Sequence, residues 1–268
     1  MPHPTRAAGA AFALTACLLV AACGDETGTT GSTSADSAAK SAEAAKPSAA
    51  AMSGQEFSAQ SMAAMQEAGS FHITYIVDQG GNKTGTELDV VLDGDSVTSS
   101  VNTEMGGVTI KLVTDGSESY AQSEQLFQTD KWVAVTADSG NPAVVAMAQQ
   151  LDQQNALDRM ASIFGAVEKF TPGATSERDG ITVTEYKGEL PPEAMLRYVP
   201  EEMRALTREG LGEATIPLTV YVDEKNRPVE SVQEFDVSGT VVKGITTYTD
   251  YGKDFGITMP SEDQVTQM

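Results

Sequence analysis

Cysteine and histidine are almost missing from this chain of 268 residues, which holds two of each. Cys17, Cys23 and His3 all lie near the N-terminus, so His72 is the one imidazole in the rest of the chain. Zinc sites need three or four such ligands, and hydroxyl or thiol nucleophiles usually work beside a base such as histidine. The composition argues against a hydrolase or a metalloenzyme. We expect no enzyme and no cofactor.

The first 22 residues have the layout of a secretory signal peptide. Arg6 supplies a short positive region, Ala7 to Val20 is almost entirely apolar, and the small pair Ala21-Ala22 follows. The apolar run is shorter than the roughly 20 residues that a membrane-spanning helix requires. Cleavage after Ala22 would remove Cys17 and leave Cys23 as the single cysteine, so no disulfide could form within the mature chain.

The segment Val20-Ala21-Ala22-Cys23 resembles the bacterial lipobox, in which the cysteine is acylated and becomes the new N-terminus. The resemblance implies that Cys23 is a lipid anchor that carries acyl chains such as palmitate. A second match ends at Cys17, but cleavage there would cut the apolar core short. An ordinary secreted protein with a stray cysteine is the remaining alternative. We expect a lipoprotein held on the outer face of the cell membrane.

Basic residues are also few: 17 Lys and Arg stand against 38 Asp and Glu, which gives a net charge of −21. Loss of Arg6 with the signal would change the net charge to −22. A field of this sign repels nucleic acid and anionic headgroups. Membrane contact is therefore expected through the acyl anchor, and no nucleic-acid partner is expected.

Residues 23–52 contain the anchor cysteine and a stretch rich in Gly, Ser, Thr and Ala without aromatic side chains. Such a composition cannot bury enough apolar surface to build a core, so we interpret it as a flexible tether. At about 30 residues, its root-mean-square span is roughly 30 Å. Residues 53–262 are long enough for one domain with a sizeable core, and residues 263–268 are treated as a tail.

Short alternating runs dominate the first half of this domain. A helix is predicted over Phe57–Ala68, ended by Gly69. Alternation of apolar and polar residues, with glycine turns between the runs, indicates an antiparallel meander. The predicted strands of this meander are 71–77, 88–92, 96–103, 108–114, 119–122 and 128–135.

The second half mixes helices and strands. The stretch from Pro142 to Val167 is helix-like, with a weak break at residues 152–155, and a further helical segment runs from Pro191 to Arg208. The predicted strands are 181–186, 214–222, 229–237 and 240–249. This order argues against a parallel βαβ fold. It predicts an α+β domain in which helices cover one face of a curved antiparallel sheet.

Three segments of the chain form a familiar set: the run from Glu67 to Ile73, LTVYVDEKNRPVESVQ (218–233) and TTYTDYGKDFGITMP (246–260). They resemble the LppX/LprAFG envelope lipoproteins, whose fold is similar to that of the lipoprotein carriers LolA and LolB. The resemblance implies a half-barrel whose helix-covered concave face encloses an apolar cavity for an acylated lipid or glycolipid, and it leaves an envelope transport partner open. Where the family commonly continues Gly-Lys with Pro-Val, this chain has Asp254-Phe255, so the subfamily and cargo do not follow.

Large apolar residues on the predicted sheet and its covering helices are the candidate lining of such a cavity. They are Phe71, Ile73, Tyr75, Leu88, Val90, Leu92, Ile110, Leu112, Trp132, Met147, Leu151, Met160, Ile163 and Phe164. A tightly packed core would use the same residues, although methionine-rich helices favour an adaptable cavity. The leading hypothesis is lipid binding or transport. The alternative is a structural or protein-interaction lipoprotein with a filled core.

Other motifs receive simpler interpretations. His72 alternates away from the Phe71/Tyr75 face and is expected to be solvated. Asp93-Gly94-Asp95 lacks the later glutamate of a calcium loop, so we expect a turn and no metal site. Gly80-Gly81-Asn82-Lys83 lacks the core of a phosphate loop and is expected to be a hairpin.

Overall fold

The computed structural model describes residues 50–268 except 95, 106, 152–155, 198, 200, 238 and 267. Cys23, the signal segment and almost all of the tether lie outside these residues. The described part consists of one sheet and six helices. The helices are α1 (Gly54–Ala68), α2 (Glu124–Phe127), α3 (Pro142–Leu151), α4 (Ala156–Ala166), α5 (Pro192–Leu196) and α6 (Glu201–Leu211).

The strands follow the chain in a simple order. They are β1 (Met52–Ser53), β2 (Ser70–Gln79), β3 (Asn82–Asp93), β4 (Ser96–Met105), β5 (Val108–Thr114), β6 (Ser119–Gln122), β7 (Trp132–Ala134), β8 (Lys169–Arg178), β9 (Ile181–Leu190), β10 (Ile216–Asp223), β11 (Pro228–Val237), β12 (Thr240–Thr249) and β13 (Val265–Thr266).

All thirteen strands belong to one sheet, in the order β1-β8-β9-β10-β11-β12-β2-β3-β4-β5-β6-β7-β13. Each described pair is antiparallel except β13 with β7, which is parallel. Two meanders, β2 to β7 and β8 to β12, meet where β12 pairs with β2. The predicted architecture, an antiparallel sheet with helices, is confirmed. The sheet stays open, because β1 and β13 form its two separate edges.

Strand β8 was not predicted, because Pro172-Gly173 reads as a break. The strand instead runs from Lys169 through both residues to Arg178, and its register against β9 shifts between Pro172 and Thr175. Proline is tolerated at a sheet edge or a bulge, where the missing N–H costs no ladder hydrogen bond. A Cβ at position 173 would overlap the Glu185 carboxylate, so a larger residue there would require this side chain to move.

Helix α1 begins three residues before its predicted start. Ser53 and Glu56 form a reciprocal capping box, in which each side chain accepts from the other residue's backbone N–H, so the first turn is satisfied locally. Gly69 ends the helix in the left-handed conformation, as predicted. Gly54 packs so closely that a Cβ would overlap the backbone carbonyl of Val167, to which its own N–H donates.

The predicted weak break between Pro142 and Val167 separates two helices, α3 and α4, on either side of residues 152–155. Likewise, the segment that includes Pro200 holds two helices, α5 and α6. Two residues of the expected tail, Val265 and Thr266, form β13 and cover the edge strand β7.

Candidate functional site

One face of the sheet, here called the inner face, carries Phe71, Ile73 and Tyr75 of β2. The ladder pairs Ile73 with Leu88, Leu88 with Val101, and Val101 with Leu112. Directly paired strand residues point to the same side of a sheet, and so do residues two apart. The register therefore places all eight predicted sheet residues on the inner face: Phe71, Ile73, Tyr75, Leu88, Val90, Leu92, Ile110 and Leu112.

At the β5–β7 side, the inner face is filled by packed side chains. Ile110, Ala121 and Val133 form a buried cluster with three residues of the covering helices, and Leu112 packs partly buried against it. The helical members are Phe127 of α2 and Val144 and Met147 of α3. Ile110 and Met147 therefore lie in a close-packed core at this side.

An aromatic cluster fills the β8–β10 side. The Phe57 ring of α1 lies 4.2 Å from Phe170, 5.2 Å from Tyr186 and 5.4 Å from Phe164, measured between centroids. These spacings fall near the range in which aromatic pairs attract beyond their area of burial. Burial raises the pKa of the Tyr186 hydroxyl. Next to the cluster, a Cβ at Gly188 would overlap the Val167 side chain, so glycine allows this close approach.

Between the two packed regions, the inner face is only partly covered. Phe71 is 0% exposed and Ile73 is 9% exposed, but Tyr75 and Val77 further along the same strand are half-buried. Leu88, the partner of Ile73, is also half-buried. These residues form a central apolar zone with accessible surface, bounded on both sides by core.

The burial of inner-face residues also varies along β11 and β12. Tyr248 and Ser231 are buried on the inner face, whereas Gln233, Phe235 and Val242 are half-buried. Tyr248 is enclosed enough that burial raises the pKa of its hydroxyl to about 12, although hydrogen bonds to Ser231 and Thr246 act in the opposite direction. Val237 at the far end of β11 is buried as well. Covering of β11 is thus complete at both ends and partial at Gln233 and Phe235 between them.

Tyr75 brings a phenol into the central apolar zone, beside its ladder partners Thr86 and Thr246. Its ring lies against Gly244 of β12, where a Cβ would stand 3.6 Å from the Tyr75 hydroxyl oxygen. Burial raises the pKa of this hydroxyl, while the positive charge of Arg159 on α4 lowers it. The zone therefore combines apolar side chains with one phenol, neighbouring threonine hydroxyls and a nearby guanidinium.

The remaining predicted lining residues lie in different surroundings. Met160 and Phe164 are buried on α4, Ile163 is half-buried, and Leu151 is on α3 with its side chain outside the described set. Trp132 alternates with the buried Val133, so it is placed on the face opposite the inner face, where it is half-buried. Whether these residues line a cavity stays a prediction.

His72 lies on the opposite face, as expected from its alternation, but it is not simply solvated. Its Nδ1 lies 2.7 Å from Oδ1 of Asp89, its partner across the ladder, and its Nε2 lies 3.2 Å from the Thr74 hydroxyl. This pair could have been predicted from the register of β2 against β3, which places residues 72 and 89 side by side. The pair satisfies a half-buried imidazole.

Sequence reasoning overlooked several members of the inner face. Val101 and Val77 continue the apolar rows of β4 and β2, and their alternation within the predicted strands could have identified them. Ser231 and Tyr248 could not be recognised as buried partners, because their strands meet only in the folded sheet.

Other kinds of site find little support. Among the described residues, no group of three or more His, Cys, Asp or Glu side chains could hold a metal ion. A crevice lined by Phe57, Gln60 and Tyr186 encloses about 170 Å³, including space open to solvent. Small-molecule pockets usually measure about 300–1,000 Å³, so this crevice is too small for such a ligand. In the described part of the chain, every helix is too short or too polar to cross a bilayer.

Comparison with known proteins gives matches among solved structures only. No family model and no curated protein matches the chain. LprF from Mycobacterium bovis has 15% identity and a TM-score of 0.46, and the match covers 78% of this chain and 96% of LprF. The Mycobacterium tuberculosis lipoprotein LppX has 13% identity and a TM-score of 0.48, with 75% and 96% covered. The structural neighbours thus include two lipoproteins of the LppX/LprAFG family.

A further match is the complex of MucA and MucB from Pseudomonas aeruginosa. It has 12% identity and a TM-score of 0.37, and it covers 79% of this chain but 59% of the matched chain.

Proposed function

We propose that this chain is a membrane-anchored, extracytoplasmic lipoprotein that binds an acylated lipid or glycolipid on the central apolar zone of its inner face. The observation that carries the proposal is the partial covering of Tyr75, Val77 and Leu88 between two filled regions. A sheet face that served only as core would be expected to bury its central residues as completely as its flanks.

The chemistry of the zone suits acyl chains. Its side chains are mostly apolar, and burial of about ten methylenes at ~0.8 kcal/mol each contributes ~8 kcal/mol before association costs. That free energy corresponds to roughly micromolar affinity. Few polar contacts are needed, and Tyr75 is available to donate one to a headgroup or an ester oxygen.

A non-catalytic role fits the side chains present. His72, the single imidazole among the described residues, is held by Asp89 on the face away from the zone. The phenol of Tyr75 keeps its proton at neutral pH, because its ordinary pKa of 10 lies well above neutrality and burial raises it further. A hydroxyl that holds its proton serves as a hydrogen-bond donor rather than as a nucleophile.

The anchor completes the proposal. Acylation of Cys23 would hold the domain at the membrane, and residues 24–51 would let it reach lipid within roughly 30 Å. With a net charge near −22, the protein gains nothing from attraction to anionic headgroups. Two acyl chains are enough for stable attachment, whereas one is marginal.

Native mass spectrometry of protein purified from its own host, followed by organic extraction, tests the binding proposal. We expect a co-purifying acylated lipid. In the Leu88→Trp variant, the added indole should occupy the central zone and reduce bound lipid several-fold while the fold is kept. Ile110→Trp is the matched control: in the packed cluster it should lower the free energy of unfolding by about 1–3 kcal/mol. A lipid-free wild type, with Leu88→Trp as destabilised as the control, would favour the filled-core alternative.

A further inference from the structure

A row of hydroxyl side chains crosses the inner face on five neighbouring strands. Each member is paired with the next by the ladder, and directly paired residues point to the same side of a sheet. All of them therefore lie on the face that carries Tyr75. This hydroxyl row consists of Thr103 of β4, Thr86 of β3, Tyr75 of β2, Thr246 of β12 and Ser231 of β11.

The hydroxyl row borders the apolar part of the central zone. The end of the central strands that leads to the turns at residues 224–227 and 250–252 is here called the lower end. Leu88 and Val101 pair with each other two residues nearer to the lower end than Thr86 and Thr103, and both are half-buried. An amphiphile whose acyl chain contacts this apolar pair would place its polar group at the hydroxyl row.

The hydroxyl groups on either side of Tyr75 have partners of their own. The side-chain oxygens of Thr86 and Thr103 lie 3.0 Å apart, and the two members on the other side bond to the buried Tyr248 hydroxyl. The Tyr75 hydroxyl makes no hydrogen bond to another described residue. No fully buried side-chain atom of the described residues lacks a partner, so this hydroxyl has accessible space beside it. It offers a donor that the fold leaves unused.

Charge is divided unequally between the two faces of β2, β3, β4, β11 and β12. The register places every acidic residue and every lysine of these five described strands on the face opposite the hydroxyl row. These residues are Asp78, Lys83, Glu87, Asp89, Asp93, Glu104, Glu230, Glu234, Asp236 and Lys243. The positive charge of Arg159 on α4 does act on Tyr75, because it lowers the pKa of that hydroxyl. A chain with 38 acidic residues thus keeps this donor beside a cation and away from the carboxylates of these strands.

A free donor beside a cation suits a ligand group that accepts hydrogen bonds and carries negative charge. Phosphate oxygens meet both conditions, and arginine binds them through charge-assisted hydrogen bonds. A neutral sugar gains less from the net charge of a guanidinium. Repulsion from the acidic residues on the opposite face acts at longer range, where salt screens it.

We propose that the Tyr75 hydroxyl and the Arg159 guanidinium bind the phosphate of a glycerophospholipid, whose acyl chain lies against Leu88 and Val101. The inference rests on the proposed lipid-binding function and names the class of lipid that the site selects.

Competition among three lipids with identical acyl chains tests the inference. The protein begins at Gly24, so that it carries no acyl anchor and retains every described residue. It is mixed in detergent micelles with equal amounts of dioleoyl phosphatidic acid, dioleoylglycerol and monogalactosyl dioleoylglycerol. Native mass spectrometry then measures the ratio of the bound lipids. We expect bound phosphatidic acid to exceed each neutral lipid about tenfold, because hydrogen bonds to a charged group are the stronger ones.

Two variants and their matched controls locate the preference. Tyr75→Phe removes only the phenol oxygen and should reduce the preference for phosphatidic acid about threefold, and Arg159→Gln should remove most of it. Tyr221→Phe and Arg178→Gln are the controls and should keep it. On the face opposite the hydroxyl row, the Arg178 guanidinium lies 3.5 Å from the centre of the Tyr221 ring and pairs with Glu230.

The outcomes separate this inference from the proposed function. If a neutral lipid binds as well as phosphatidic acid, or if the controls lose the preference as fully as Tyr75→Phe and Arg159→Gln, the phosphate site is wrong while lipid binding stands. Millimolar inorganic phosphate should leave the ratio unchanged, and a fall to the level of the neutral lipids would assign the site to free phosphate instead. If no lipid binds, the proposed function fails, and the phosphate site fails with it.

Discussion

The hydroxyl of Tyr251 donates a hydrogen bond of 2.6 Å to the backbone carbonyl of Pro228. The two residues belong to different segments of the family resemblance. Arg227 joins them, because its guanidinium lies 4.6 Å from the centre of the Tyr251 ring and also pairs with the buried carboxylate of Asp223. Residues from these two segments thus build a junction at the lower end of the sheet. The Tyr251 ring also lies 5.8 Å from the Phe71 ring, so the junction adjoins the buried lower end of the central apolar zone. We expect these residues to stabilise the fold.

We expect Tyr251→Phe to lower the free energy of unfolding by about 1–2 kcal/mol, because it leaves the Pro228 carbonyl without its partner. Urea titration at neutral pH measures the change. Tyr120→Phe is the control: this hydroxyl bonds an exposed Glu118 carboxylate, and its removal should cost under about 0.5 kcal/mol. Equal effects of both variants would contradict a structural role for the junction.

Replacement of Arg227 by Met should cost more, about 3–5 kcal/mol, because it strips a buried carboxylate of its cation. Asp223 is 9% exposed and its Oδ2 accepts from the Arg227 guanidinium at 2.7 Å. The double variant Asp223→Asn/Arg227→Met should recover part of the loss, since no unpaired charge remains. Thermal unfolding of the four proteins forms a double-mutant cycle, and strictly additive losses would count against the pair.

Stability should fall at alkaline pH. Burial raises the pKa of Tyr248 to about 12 in the folded protein, against an ordinary value of 10. The folded state therefore keeps a proton that the unfolded state loses between these values, so the stabilisation is complete below pH 10. It falls by about 1.4 kcal/mol per pH unit between pH 10 and 12. Unfolding free energies measured across this range should show the slope, and Tyr248→Phe should reduce it.

Ser53→Ala removes the capping box of α1 and should cost about 1 kcal/mol. Ser53 accepts from the Glu56 N–H, and Glu56 accepts in return from the Ser53 N–H. Circular dichroism during urea titration measures the loss. Ser176→Ala, an exposed change on β8, should stay within about 0.5 kcal/mol of the wild type.

Cys23→Ala should leave the protein unlipidated and unprocessed. The acyl chains are expected on the Cys23 thiol, and the lipobox requires that cysteine. Metabolic labelling with a radioactive fatty acid, followed by immunoprecipitation, measures the modification. Cys17→Ala is the control and should be labelled normally. Label that survives in Cys23→Ala would show that the anchor is elsewhere.

Local signals predicted most of the fold. Alternation and glycine turns located β5, β6 and β12 to the residue, because these strands are half-covered and end at tight turns. The end of α1 at Gly69 and the helix break at residues 152–155 were likewise predictable from the local sequence. Strand β8 was missed because a bulge, beyond the short pairing of β8 with β1, lets the strand carry Pro172-Gly173. That condition depends on tertiary position.

The candidate site was predictable only in part. Alternation alone placed eight apolar residues on one face, but it could not tell that Ile110 joins a filled cluster while Leu88 keeps accessible surface. That difference depends on where α2, α3 and α4 lie over the sheet. Trp132 was misleading for a related reason: its size suggested a cavity rim, yet the register of the short strand β7 turns it away from the inner face.

The pairing of β12 with β2 has a consequence for how the protein folds. Ile73 and Tyr248 are neighbours across this seam, although 175 residues of chain separate them. Contacts of such long sequence separation form slowly, because a large loop must close first. Each meander can assemble from neighbouring hairpins, but the centre of the sheet must wait until the C-terminal strands have been synthesised. A signal peptide at the N-terminus would therefore be recognised before β12 has paired with β2.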